Sequence, residues 1–245
     1  MRVDDIWTIA SKDLRTVWAH KGIRYGLSAF PMVAAIGLPQ VIRYATAERP
    51  DIPASVIEGF LQSFLFFFMI AVTTLPTAIA SYALVGEKVE RSLEPMLATP
   101  VSIGSVLVGK TIAAVVPTLA AVWSACAVFM VLADREATPI LGYRYFPQEA
   151  TWVQLFVLMP VVALLTVNID IVVSSRVSDV RSAQQIAGLV VLPVSALYMA
   201  AQLGSIALDV RMMWRMAAVA AVLAIVTLAI ARRVFDREEI LTRWT

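Results

Sequence analysis

The sequence predicts an all-α membrane protein: six transmembrane helices, an N-terminal interfacial helix over residues 1–21, and a short helix between the second and third spans. Three observations carry this reading. Apolar residues make up 60% of the 245 residues and the mean hydropathy is +0.79. Charged residues make up 16%, where a soluble domain has about a quarter. Six apolar runs have about the 20 residues that cross a bilayer; they cover roughly 25–42, 60–85, 111–132, 152–173, 183–208 and 213–231. The connectors are short, so residues 22–245 form one membrane domain.

In chain order, Val3, Ile6, Trp7, Ala10, Leu14, Val17 and Trp18 recur at spacings of three and four, with Asp4, Asp5, Lys12, Asp13 and Arg15 mostly elsewhere on the wheel. Tryptophans at both ends suit a headgroup layer, so this helix is expected to lie on the membrane surface. His20 follows it and is assigned no special role. The first span opens on Gly22 and Gly26, a small-xxx-small pair. The second and fifth runs exceed the minimum length and are expected to tilt or break. Prolines fall in five spans (Pro31 and Pro39, Pro76, Pro117, Pro160, Pro193). Each removes a backbone hydrogen bond that neighbouring helices must compensate. After the second span, Val85, Val89, Leu93 and Met96/Leu97 form an apolar stripe, with Glu87, Lys88, Glu90, Arg91 and Glu94 facing other directions. Pro95 ends or kinks that helix and Pro100 marks a turn.

An even number of spans puts both termini on one side. Of the twenty Lys and Arg residues, fourteen lie on the side of the termini and six opposite, which makes the termini cytoplasmic. Other classes are excluded quickly. A net charge of +2 with no basic run speaks against nucleic acid. One cysteine, Cys126, and one histidine cannot build a metal cluster or a disulfide within the chain. No H-E-x-x-H, G-x-S-x-G or intramembrane aspartate pair occurs. The run G-S-V-L-V-G-K-T, 104–111, fits the P-loop expression. Its bulky apolar centre, the lack of a preceding strand and its entry into the third span make the match coincidental. Lys110 is then expected to reach from the span to the headgroups.

The same neighbourhood carries a more informative pattern. The run G-E-K-V-E-R-S-L-E-P-M-L-A-T-P-V-S-I-G-S-V-L-V-G-K, 86–110, resembles the signature of the ABC type-2 permeases, membrane subunits of ATP-binding-cassette transporters. Glu87, Lys88, Glu90, Arg91, Leu93, Glu94, Leu97, Thr99, Pro100, Ser102, Gly109 and Lys110 match it; Val89 is inserted and Ser92 replaces a glycine-threonine pair. The connector S-S-R-V-S-D-V-R-S-A-Q-Q, 174–185, and the tail R-V-F-D-R-E-E-I-L, 233–241, are similar to the corresponding family segments.

The resemblance implies a type V exporter-like fold, with a connecting helix over 1–21 and a coupling helix at about 86–98. That helix would contact separate cytoplasmic ATPase subunits through Glu87, Val89, Glu90, Arg91, Leu93, Glu94 and Met96. The chain itself would be a permease with no cofactor, not an enzyme, with ATP and Mg held by the partner ATPase. A second permease copy or a paralogue would complete the export pathway in the cell membrane. By resemblance the second and fifth spans flank that pathway, which makes Gln62, Thr73, Thr74, Thr77, Ser195 and Tyr198 candidate lining residues. Serine and threonine hydroxyls also satisfy their own helix carbonyls. Ala196, Ala200 and Gly204 form a small-residue stripe for dimer packing or for packing within one subunit. Asp170 is read either as a cation site with Asn168 or, from its place near the cytoplasmic interface, as a solvated or base-paired carboxylate. The alternative function is an ATP-independent secondary transporter or channel, which would place more charge at mid-membrane.

Overall fold

Apolar helices with no sheet partner must satisfy their backbones internally, and the chain does so as a helical bundle. The computed structural model describes residues 3–49, 51–83, 101–177, 179–203 and 208–234, and no strand occurs among them. Helix α1 is Val3–Ala19 and α2 is Lys21–Glu48. Helices α3, Ala54–Ser81, and α4, Ile103–Leu141, follow. A composite helix comprises α5 (Glu149–Val153), a π segment (Gln154–Leu158) and α6 (Met159–Ser174). Last come α7, Val180–Gly188, α8, Val191–Gln202, and α9, Val210–Val234. The segment 86–98, with Pro95, Pro100 and the contact residues Glu87, Val89, Glu90, Arg91, Leu93, Glu94 and Met96, lies outside the described residues, as do Gly204 and positions 235–241.

Six helical stretches are long and apolar enough to cross a membrane: Lys21–Glu48, Ala54–Ser81, Ile103–Leu141, Glu149–Ser174, Val180–Ala201 and Val210–Arg233. They are the six apolar runs of the sequence with adjusted ends. The largest adjustment is the third span. Its helix begins eight residues before the run and ends nine residues after it, so at 1.5 Å per residue it is about 58 Å long and overshoots an apolar core of about 30 Å. Ser102 starts it, its side chain accepting from the Ser105 backbone N–H, and Gly142 ends it at φ 76°. The fifth run breaks, as its length suggested, into α7 and α8.

Packing is unequal around the bundle. In the windows that define the spans, 61% of the second and 56% of the fourth are buried, against 22% of the fifth and sixth. Helix α3 is therefore the central post; it touches α2, α4, α6, α7 and α8. We call the end carrying α1 proximal and the other end distal. Towards the distal end, Phe129 meets Phe64, Phe68 and Phe146 at centroid distances of 6.3, 5.3 and 5.6 Å. The Asp134 carboxylate accepts the backbone N–H groups of Tyr145 and Phe146, which fixes the α4–α5 connector over the bundle.

The π segment has a chemical cause. Within it the Met159 N–H reaches back to the Gln154 carbonyl. The next bond in that series would run from residue 160 to Leu155, but Pro160 has no N–H. The orphaned Leu155 carbonyl instead accepts the indole N–H of Trp123, on the third span, at 3.0 Å. Trp123→Phe therefore leaves a buried carbonyl without a partner, and we expect a loss of about 1–3 kcal/mol in denaturant unfolding of the detergent-solubilised protein. Adding Pro160→Ala to that variant restores an N–H and recovers part of the loss.

Candidate functional site

The proximal end is organised by one glycine, one lysine and one aspartate. Asp13 stands three residues after Ala10 and four before Val17, so it shares their helix face. That face, Ala10, Asp13 and Val17, is the buried one, and α1 packs with it against α4 and α2. At the contact, a Cβ built on Gly109 would lie 3.0 Å from the Ile6 carbonyl oxygen and 3.0 Å from Ile9. Only glycine lets the two backbones come so close. One residue on, the Lys110 ammonium lies 3.4 Å from the Asp13 carboxylate and donates to the Ala83 carbonyl at 2.8 Å. Lys110 is 2% exposed and Asp13 5%.

Two expectations are corrected here. Lys110 is not a headgroup anchor: its stem runs into the α1–α4 contact, because a carboxylate is waiting there and burial without one would be costly. Asp13 is not on the polar side of α1. The tryptophans do face outward, Trp7 at 64% and Trp18 at 59% exposure. His20, given no role from sequence, caps the junction on its other side. Its Nε2 lies 3.0 Å from the Tyr82 hydroxyl, with the rings edge to face. Helix α1 and its junction with α2 thus hold the last described residues of α3's end, Tyr82 and Ala83, and the first turns of α4.

A second cluster sits between α3 and α6 at the same end. Asp170 is fully buried, and its Oδ1 accepts the Ser81 hydroxyl at 2.6 Å. Its Oδ2 and the Ser174 hydroxyl have no hydrogen-bond partner among the described residues. The expectation of a solvated or base-paired carboxylate is corrected: the side chain points into the helix contact rather than to the interface. Asn168 is not its companion, since its amide donates to the Ala224 carbonyl of α9 at 3.0 Å.

At the distal end, a cavity of about 610 Å3 opens between the second, fourth, fifth and sixth spans, lined by Gln62, Tyr145, Gln148, Glu149 and Asp209 among others. Below it a recess of about 20 Å3 is lined by Gln62, Gln154 and Tyr198, room for about one water. The buried Tyr198 hydroxyl has no partner among the described residues, while its ring lies against Phe66. Gln62 donates to the Leu208 carbonyl at 3.0 Å and Gln154 to the Leu65 carbonyl at 3.4 Å. Burial, then the charge of Glu58, pushes the Tyr145 phenol up to about 12.

The structure thus brings Gln62 and Tyr198 together and leaves the other candidate lining residues apart from them. Thr73 and Thr74 donate to the Ile70 carbonyl and Thr77 to that of Thr74; Ser195 is half-buried on α8. Ala196 is exposed and Ala200 half-buried on the same helix, and a Cβ at Gly22 or Gly26 would meet nothing within 4 Å. Sequence reasoning missed Asp13, Tyr145, Gln154 and Ser174. Only Asp13 left a signal, an acid at core spacing.

A protein-family model described as ABC-2 family transporter protein matches residues 31–209. No curated protein matches the chain.

Lys110→Met strands a buried carboxylate, and we expect it to lower unfolding stability in detergent by about 3–5 kcal/mol. The double variant Asp13→Leu/Lys110→Met recovers most of that loss. Gly109→Val, by contrast, drives side-chain atoms into the Ile6 carbonyl and releases α1, read as faster proteolysis within residues 3–19.

Proposed function

Because this chain belongs to the ABC-2 transporter family, we propose that it is the permease subunit of an ATP-binding-cassette exporter, moved by separate cytoplasmic ATPase subunits. Its membership makes it a multi-pass membrane transport component. The coupling mechanism, the partners and the direction are our reading. ATP and Mg are placed on the partner, and this chain contributes no catalytic group.

The observation that supports the reading best is the pinning of both sides of the segment between α3 and α4. Lys110 holds the Ala83 carbonyl, just before that segment, to the first turns of α4, just after it. Asp13 adds α1 to the same junction. A partner that grips residues 86–98 through Glu87, Val89, Glu90, Arg91, Leu93, Glu94 and Met96 therefore displaces the second and third spans and α1 together. Packed helices respond to such a push by switching between two arrangements, which is how a distant ATPase biases a gate. In this reading residues 1–21 are the connecting helix, 22–245 the type V-like membrane domain, and the junction is cytoplasmic with both termini.

The pathway is assigned to the faces of the second and fifth spans, with Gln62 and Tyr198 at its distal mouth and Thr73, Thr74, Thr77 and Ser195 deeper. A second copy or a paralogue completes it. Ala196 and Ala200, which with Gly204 make the proposed dimer stripe, lie on a lightly buried helix with exposed Leu192 and Met199, an outward face that a second subunit would cover as readily as lipid.

Charge reversal at Glu90 and Glu94, tested in the purified complex, separates this reading from an ATP-independent transporter. We expect loss of co-purification with the ATPase subunit and a fall of about tenfold or more in stimulated ATP hydrolysis, equivalent to at least 1.4 kcal/mol of coupling. Unchanged assembly and hydrolysis contradict the coupling assignment. Transport by the chain alone in liposomes under an ion gradient favours the alternative.

A further inference from the structure

Helices α3 and α6 pack together and end at the same, proximal, side. Helix α3 carries Thr73, Thr77 and Ser81 and α6 carries Thr166, Asp170 and Ser174, each set spaced by four residues and every member buried, and Ser81 meets Asp170 across the contact. Four-residue spacing keeps each set on one helix face. Three of the six are quiet. Thr73, Thr77 and Thr166 donate to carbonyls of their own helices, a local bond that needs no neighbour.

The last turn is different. Ser81 donates across the contact to Oδ1 of Asp170, and Oδ2 and the Ser174 oxygen have no hydrogen-bond partner among the described residues. Neither α3 nor α6 has a basic residue in its last turn. Helix α6 presents its negative dipole end here. Lys110 lies at this end of the bundle, but its ammonium is held by Asp13 and the Ala83 carbonyl. A carboxylate buried beside the C-terminus of α6 is unfavourable unless a cation joins it or a proton neutralises it.

We propose that Asp170, Ser81 and Ser174 bind a monovalent metal cation of the sodium type, which ties the second span to the fourth. The donors are all hard oxygens, the set that alkali and alkaline-earth ions take. A single charge neutralises the single carboxylate, whereas a divalent ion would leave a net positive charge in an apolar contact. The Ser81 hydroxyl can keep its hydrogen on Oδ1 and offer a lone pair to the ion. The site rests on the α3–α6 contact alone and is independent of the coupling reading.

The test is thermal unfolding of the full-length chain in detergent, at fixed pH and ionic strength, with sodium chloride replacing choline chloride. We expect the Tm to rise and saturate with sodium, as binding to the folded state alone requires. Asp170→Asn, with its charge removed and its shape kept, should abolish that dependence. Ser174→Ala, which keeps the carboxylate, should raise the midpoint sodium concentration about tenfold, the loss of one charged contact. A wild-type Tm that is the same in sodium, potassium and choline overturns the site, as does an Asp170→Asn protein that still responds to sodium. A Tm that follows pH but no metal cation assigns the position to a proton and also overturns it.

Discussion

A lysine and an aspartate buried against each other between α1 and α4 set the geometry on which the proximal half of the molecule depends. Neither charge is tolerable there alone, since an unpaired buried ion costs more than the pair contributes. The pair therefore acts less as a source of stability than as a register mark. It admits one docking of α1 on α4, the one that places Asp13 beside Lys110 with the Ala83 carbonyl as a third group. Gly109 makes that docking possible by letting the Ile6 backbone approach to contact distance. The Gly-Lys dipeptide that resembles a phosphate-binding loop is thus a helix-packing device: the glycine gives closeness and the lysine gives position.

The remainder of the bundle follows a related constraint. Helices in an apolar surrounding gain little from burying more apolar surface, so polar groups that find partners carry disproportionate weight. Gln62, Gln154 and Asn168 each donate an amide to a backbone carbonyl on another element. Trp123 does the same for the carbonyl that Pro160 leaves open. These bonds converge on the second and fourth spans, the two most buried. The first, fifth and sixth spans are held more loosely, with broad apolar faces turned outward. A firm centre with a lightly held periphery suits a membrane transport component: the centre can be tilted as a unit while the peripheral helices turn broad apolar faces outward.

The number and order of spans were legible because a bilayer imposes a length and a composition that no other environment imposes together. Excess length did not say which span would break, since the second run exceeds the minimum as well and stays one helix, Ala54–Ser81. The ends of the third span were not legible, since the helix continues past its apolar run into Ile103–Lys110 at one end and through Ala133–Leu141 at the other, where packing rather than hydropathy maintains it. Lys110 was misassigned because a lysine at a span end normally reaches outward, and nothing local reports a carboxylate 97 residues away. Asp13 could have been found, since its spacing from Ala10 and Val17 is that of a core residue. Asp170 was visible as an intramembrane acid, but its partner Ser81 was not, because which face of α6 meets α3 is a tertiary fact. Gln62 and Tyr198 shared a candidate role on the strength of family resemblance, and their convergence on one recess depends on a fold that periodicity does not specify.

We expect α1 and the third span to move as one body, locked by the Asp13–Lys110 pair. Spin labels at Thr8 on α1 and Val116 on the third span, both exposed, test it directly. Their separation is measured by pulsed electron resonance in the purified transporter, nucleotide-free and nucleotide-trapped. A locked unit gives one unchanged distance in both states, while a control pair joining α1 to the fifth span shifts. A change approaching one helical turn, about 5 Å, between Thr8 and Val116 would show that α1 slides on the third span and would contradict the claim.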